Sequence, residues 1–428
     1  MEVILGHNIS QENKKRIEQI VGVKYPNVKI MEEQADAETW EIRKKTRKMK
    51  ICILTQPLHT NYGALLQAYA LQKVLRDFGH DVVTDRYGAK KRVSLLGRFL
   101  RFTHCFIRRY IMMDRMYNPY EYLFRFMDRR IKASVGKNTD RFIDTNISTI
   151  DFFNNRISPS KTLLSDFDAL VVGSDQVWRS VSTYEAYLLK FTYGYNIKRI
   201  AYAASFGLDE IKEFSKDKYP EFVNSAKLFD SISVRENSGV NLCEKYFDVK
   251  ATHVLDPTLL CDKDDYLKLI EKQDEHKRTN VLMCYILDKN DIKEEITKKV
   301  SSMLGLNVLE VMPKKLHVPF WGVDKDNIYP SVSSWLSGFR DAKFVITDSF
   351  HGTVFAIIFN KPFLSINNSR RGSTRFQSLL RIFNLENRLI SSLSELTDEN
   401  ISDVDYSKVN SILEVWKENS LNFLKSNL

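Results

Sequence analysis

The stretch FVITDSFHGTVFAIIFNKPFLSI, residues 344–366, leaves few folds open to this chain. It reads as a buried strand, a polar turn, a short apolar helix and, after Lys361-Pro362, a second strand. Asp348, Ser349, His351 and Gly352 fall at the turn, where the first strand ends. In an open α/β sheet, ligands bind outside the carboxyl ends of the strands. A histidine there, at a helix N-terminus with N–H donors unspent, can meet an anionic substrate. A purely structural turn uses the same residues, with Asp or Ser as N-cap and Gly relieving the bend. Position alone does not separate the two.

The same alternation runs through most of the chain. KICILTQPLHTNYGALLQAYALQKVLRDFGHDVVTDRY gives a strand at Ile51–Thr55, an amphipathic helix over about Gly63–Phe78 capped by Gly79, and a strand at Asp81–Thr84. Further strands are expected at Ala169–Val172, ending in Gly173-Ser174-Asp175-Gln176, and at Arg199–Ala203, ending in Ser205 and Gly207. SISVRENSG adds one that ends in Arg235 and Glu236, and in HVLDPTLL the Asp256-Pro257 pair forces a turn. The polar stretch Lys263–Asn280 marks a crossing, after which NVLMCYIL and LNVLEVMP lead to residues 344–366. The predicted fold class is therefore α/β, with two doubly wound domains. Residues 1–48 form an N-terminal extension, 49–262 the first domain with a basic aromatic helical insertion at about 86–132, and 275–428 the second with C-terminal helices.

Composition narrows the function classes. No run of about 18 apolar residues offers a membrane span, and MEVILGHNIS lacks the basic-then-apolar order of a secretory signal. Five scattered cysteines without CxxC spacing point to reduced thiols, a cytoplasmic setting and no zinc site; eight scattered histidines form no HExxH pair, and no protein-bound metal is expected. Between Arg86 and Lys132 there are thirteen Lys/Arg against three acids, an excess equal to the net +10 of the whole chain. RFLRFTHCFIRRYIMMDRMYNPYEYLFRFMDRR interleaves those charges with aromatic and aliphatic residues. It fits a solvated helical excursion or a peripheral contact with an anionic membrane. No recognised nucleic-acid module accompanies it, and nucleic acid is not expected as a partner.

Seven segments in order now resemble one family. They are ILTQPLHTNYGALLQAYALQKVL, ALVVGSDQVW, AYAASFG, SVRENSG, HVLDPTLL, ITDSFHGTVFA and RFQSLLRIFNLENR, together spanning roughly Met49 to Arg388. The chain resembles the polysaccharide pyruvyl transferase family. The resemblance implies two Rossmann-like domains of the glycosyltransferase-B type with the active site in an interdomain cleft. It implies transfer of pyruvate from phosphoenolpyruvate to a sugar of a bacterial cell-surface polysaccharide or its lipid-linked precursor, forming a cyclic ketal. Phosphoenolpyruvate is then the donor substrate, a glycan or lipid-linked glycan the acceptor, and no cofactor is needed. Many members carry Arg two residues before the histidine, where this chain has Ser349.

Such chemistry asks for cations and N–H donors around a carboxylate and a phosphate, and for a group that moves protons near neutral pH. His351 is the expected acid–base, with Asp348 orienting it and Ser349 and Gly352 beside the phosphate. Arg235 and Arg375 suit the donor's anionic groups; Arg375 is favoured over its loop neighbours Arg370 and Arg371 because it matches the RFxSLL pattern of the family the chain resembles. Asn61, Tyr62 and Gly63, which open the first helix, and Gln67 one turn inside it, are candidate sugar or phosphate ligands. Asp175 is a candidate general base, Gln176 and Ser205 candidate binding groups, and Trp178 a sugar platform or a core residue. A metal-independent glycosyltransferase using a nucleotide sugar fits the same two-domain frame, and so does a noncatalytic glycan-binding protein.

Overall fold

Runs of aliphatic and β-branched residues closed by turn residues become strands wherever helices cover both faces. The computed structural model describes residues 2–5, 15, 19, 29–35, 42–44 and 48–428, apart from 91–94, 114–124, 155, 180–182, 211–218, 275, 317, 319–321 and 369–370. The chain separates into two compact units, Met1–Met49 and Lys50–Leu428. In the first, β1 (Glu2–Leu5) pairs parallel with β2 (Lys29–Ala35), which pairs antiparallel with β3 (Ile42–Lys44).

The second unit holds two parallel sheets. β4 (Lys50–Leu54), β5 (Asp81–Asp85), β6 (Thr149–Ile150), β7 (Ala169–Val172), β8 (Lys198–Ala204), β9 (Ser231–Val234) and β10 (Thr252–His253) lie in the order β10-β9-β8-β7-β4-β5-β6. β11 (Val281–Tyr285), β12 (Asn307–Glu310), β13 (Ala342–Thr347), β14 (Phe363–Ile366) and β15 (Leu389–Ile390) lie in the order β12-β11-β13-β14-β15. All residues of β7 and β11 are buried, as central strands of a doubly covered sheet must be. The α/β class with two doubly wound sheets is as the alternation predicts.

Helix α1 (Tyr62–Asp77) follows β4, with Asn61 as N-cap accepting from the Ala64 N–H at 3.4 Å. The basic insertion contributes α2 (Leu95–Phe106), which continues as a wider π-turn over Ile107–Ile111. In the second half, α3 (Asp291–Leu304), α4 (Val332–Asp341), α5 (Phe350–Ile358) and α6 (Thr374–Phe383) pack around the five-stranded sheet, and every residue of α5 is buried. The last helix, α7 (Tyr406–Asn427), crosses back to the first sheet instead of staying with the second half. There Ser420 Oγ accepts from the Leu255 N–H at 3.0 Å, and Phe423 packs against Tyr202.

An aromatic seam joins the halves. The Tyr62 ring stacks on Trp335 at 5.5 Å between centroids, and Trp335 meets Tyr285 at 5.3 Å. Trp178 lies in the core under the first sheet, beside Phe206, its indole N–H donating to the Tyr187 carbonyl, so its core reading holds.

Candidate active site

Both sheets turn the carboxyl ends of their strands toward one cleft of about 520 Å³. From the first sheet come the loop after β4 with Asn61, and the turn after β7 with Asp175 and Gln176. From the second come the turn after β13, with Asp348, Ser349 and His351, and the segment after β14, with Arg371 and Arg375. The strand-end rule that drew attention to residues 344–366 therefore applies to both walls.

A buried ionic chain runs behind the cleft. Arg235 donates to Asp256 at 2.7 Å and to Asp175 at 3.3 Å. Asp256 also accepts from Ser174 Oγ at 3.1 Å, from the Thr258 N–H at 3.0 Å and from the Thr258 hydroxyl at 2.7 Å. On its open side lies His351 Nε2, at 3.6 Å. Burial pushes the Asp256 carboxyl up, but His351 and Arg235 outweigh it and hold the group well below the usual carboxylate range. Asp175 behaves likewise: burial raises it, while Arg235, His351 and Arg375 bring it below its ordinary value. A carboxylate so stabilised is a charge partner and a weak base, which argues against Asp175 as the general base.

The arginines differ sharply. Arg235 is buried and does not line the cleft; despite its desolvation, Asp256 and Asp175 raise its affinity for the proton. Arg375 does line the cleft, and among the described residues no carboxylate pairs with it. One of its terminal nitrogens donates to the Arg371 carbonyl, its guanidinium lies 5.6 Å from the Phe350 ring, and its buried Nε–H has no partner. Desolvation, then repulsion from Arg235, push it down to about 9. Arg371, ranked below Arg375 among the loop candidates, grips Asp288 through two bonds of 2.6 and 3.0 Å at the cleft wall. Arg370 lies outside the described residues.

Close approach needs glycine at several places around the cleft. A Cβ on Gly63 would sit 2.2 Å from His351 Nδ1, so the bare glycine makes room for the imidazole. A Cβ on Gly352 would meet Thr347 Oγ1 at 2.1 Å, and one on Gly372 would meet the Gly207 carbonyl at 1.9 Å. Across the same gap, Gln176 and Arg179 each donate to the Arg371 carbonyl at 3.4 Å.

Several expected ligands are committed elsewhere. Asp348 does not orient His351; its carboxylate accepts from the Leu287 and Asp288 N–H groups, Lys293 Nζ and Asn368. The carboxylate beside His351 is Asp256, which the sequence presents as a turn residue. The Tyr62 hydroxyl donates to the Pro330 carbonyl at 2.8 Å, inside the aromatic seam. Gln67 is fully buried, donating to Thr55 Oγ1 and the Ala64 carbonyl and accepting from the Ser174 N–H. Ser205 donates to Glu236 at 2.9 Å and is fully buried. Ser349 caps α5 by accepting from the Gly352 N–H, which leaves its own proton to give into the cleft. Among the described residues no group of three or more His, Cys, Asp or Glu could hold a metal ion.

The cleft joins motif residues from both halves, and one family model spans nearly all of them. The model for polysaccharide pyruvyl transferase matches residues 61–370, from the N-cap of α1 to the loop beyond β14. The chain belongs to the polysaccharide pyruvyl transferase family. As a member it is a transferase, with Arg375 just beyond the matched segment. Among solved structures it is similar to a UDP-GlcNAc 2-epimerase from Neisseria meningitidis, at 11% identity over 89% of this chain and 99% of the other, with a TM-score of 0.47. A glycosyltransferase from Rickettsia africae matches at 12% identity over 88% and 94% of the two chains, TM-score 0.43. A comparison with curated proteins finds no match.

Proposed function

We propose that this transferase moves the pyruvyl group of phosphoenolpyruvate onto two hydroxyls of one sugar in a cell-surface polysaccharide or its lipid-linked precursor. The observation that carries the reading is Arg375, a buried cation at the cleft wall with an unpartnered N–H and no carboxylate partner among the described residues. An uncompensated buried charge is costly, and an anionic substrate removes that cost.

The chemistry follows from the groups present. Arg375, Ser349 and the N-terminal amides of α5 receive the donor's anionic groups. His351 gives a proton to the enol CH2 carbon, leaving an electrophilic carbon that bears the phosphate ester. A sugar hydroxyl adds to that carbon and passes its proton to His351. The carbon–oxygen bond to phosphate breaks, the second hydroxyl closes on the same carbon, and inorganic phosphate departs with the remaining proton. Asp256 stabilises the protonated imidazole from 3.6 Å.

The test is phosphate release from phosphoenolpyruvate with and without model glycosides and lipid-linked acceptors. Acceptor-dependent release that His351→Ala abolishes is the expected result. Absence of release with every acceptor, together with melting shifts induced by nucleotide sugars, would overturn the donor assignment.

A further inference from the structure

The face of α2 that points to solvent is its apolar one. Phe99, Phe106 and Tyr110 fall in one row at i, i+7 and i+11, and Leu100, Ile107 and Ile111 in the next, and all six are exposed. Ile111 is 70% exposed and Met113, just after the π-turn, 78%. Cys105, on the opposite side, is buried. Eight of the fifteen exposed large hydrophobics among the described residues lie between Phe99 and Met113. A contiguous apolar patch of that kind marks a contact surface and not an ordinary solvated face.

The charge pattern selects the partner. Residues 95–113, LLGRFLRFTHCFIRRYIMM, contain four arginines and no acid, within the segment that carries an excess equal to the chain's whole net charge. Arg101 is exposed beside the apolar rows, and Arg108 and Arg109 are half-buried at their edge. A protein partner would set acids against these basic groups at particular points; a bilayer rich in acidic lipid offers negative charge over a plane and an apolar layer beneath. No helix among the described residues is long and apolar enough to cross a membrane, so the contact is one of surface insertion. We propose that α2 and its π-turn dock the protein on an anionic lipid bilayer, with Phe106, Ile107, Ile111 and Met113 entering the headgroup boundary. This inference does not depend on which donor or acceptor the cleft takes.

The experiment is co-sedimentation of the full chain with vesicles of phosphatidylcholine alone and of phosphatidylcholine with phosphatidylglycerol, at low and high salt. Binding to the anionic vesicles that weakens with salt is expected. The double substitution Phe106→Glu and Ile111→Glu should lower it more than tenfold, and Arg101→Gln about fivefold. Because these side chains are exposed, the melting temperature of each variant should match the parent. No binding to either vesicle, equal and salt-insensitive binding to both, or retained binding by the double variant would overturn the proposal. So would a lipid-free dimer that the double variant disperses, since a second copy would then cover the face.

Discussion

Replacing Arg375 by methionine should stabilise the empty protein while removing its response to anions. The guanidinium keeps its proton, so the downward push to about 9 is felt as lost stability of the order of 5 kcal/mol. Against this stand the bond to the Arg371 carbonyl and the contact with the Phe350 ring, each worth about 2 kcal/mol in a buried site. Methionine keeps most of the volume, which leaves a net gain of about 1–2 kcal/mol. For a unit the size of Lys50–Leu428, that is a rise in Tm of about 1–3 °C. The assay is thermal unfolding of both proteins with and without phosphate or phosphoenolpyruvate. The parent should gain about 2.7 kcal/mol at a hundredfold excess of ligand over Kd, and Arg375→Met should gain little. A variant destabilised by 2 kcal/mol or more without anion, or equal ligand-induced rises in both proteins, would refute the argument that this cation awaits a partner.

Gly63→Ala should drive a methyl group into the His351 ring and lower kcat by about a hundredfold, measured against a Tm that changes far less. Asp256→Asn leaves Arg235 and His351 without their central anion and should cost about 3–5 kcal/mol, read by denaturant unfolding. Tyr62→Phe removes only the bond to Pro330 and should cost about 1 kcal/mol with KM unchanged; a raised KM would place that hydroxyl on substrate after all. Burial raises the Asp85 carboxyl to about 6 against the N–H bonds from Phe152 and Gly88. Its folded value thus exceeds its unfolded one, so its contribution is full below about pH 4 and falls by about 3 kcal/mol as pH rises to 6. The difference in stability between Asp85→Asn and the parent should therefore change across that window and be flat above it.

Much of the fold was legible because both sheets advertise themselves locally, as at ALVV before Gly173 and FVIT before Asp348. His351 was legible for the same reason, lying just beyond a strand end, and Arg375 through its match to the family's RFxSLL pattern. Asp256 was not. Asp before Pro is ordinary turn chemistry, and its role appears only when Arg235 and His351, far away in sequence, meet it in space. Tyr62 and Gln67 show the converse limit. Their place near a helix N-terminus marked them as ligands, but one is consumed by the seam with Trp335 and the other by the Ser174 turn. Position along an element says which end a residue occupies; only packing says which neighbour claims its polar atoms.

That distinction divides the family motifs by physical role. Asp348, Gln67, Ser205 and Tyr62 give their side-chain polar atoms to protein partners, so they hold loops and halves in place. Arg375 Nε and His351 Nε2 are buried without a hydrogen-bond partner in the protein, in a class of group that folded chains rarely leave unsatisfied. Arg235 Nε and Glu236 Oε2 are unpartnered too, but neither residue lines the cleft. An unpartnered buried polar atom combined with access to the cavity thus singles out His351 and Arg375 from the candidates named in the sequence. His351 lies in the first turn of α5 and Arg375 in the first turn of α6, with the Phe350 ring beside both.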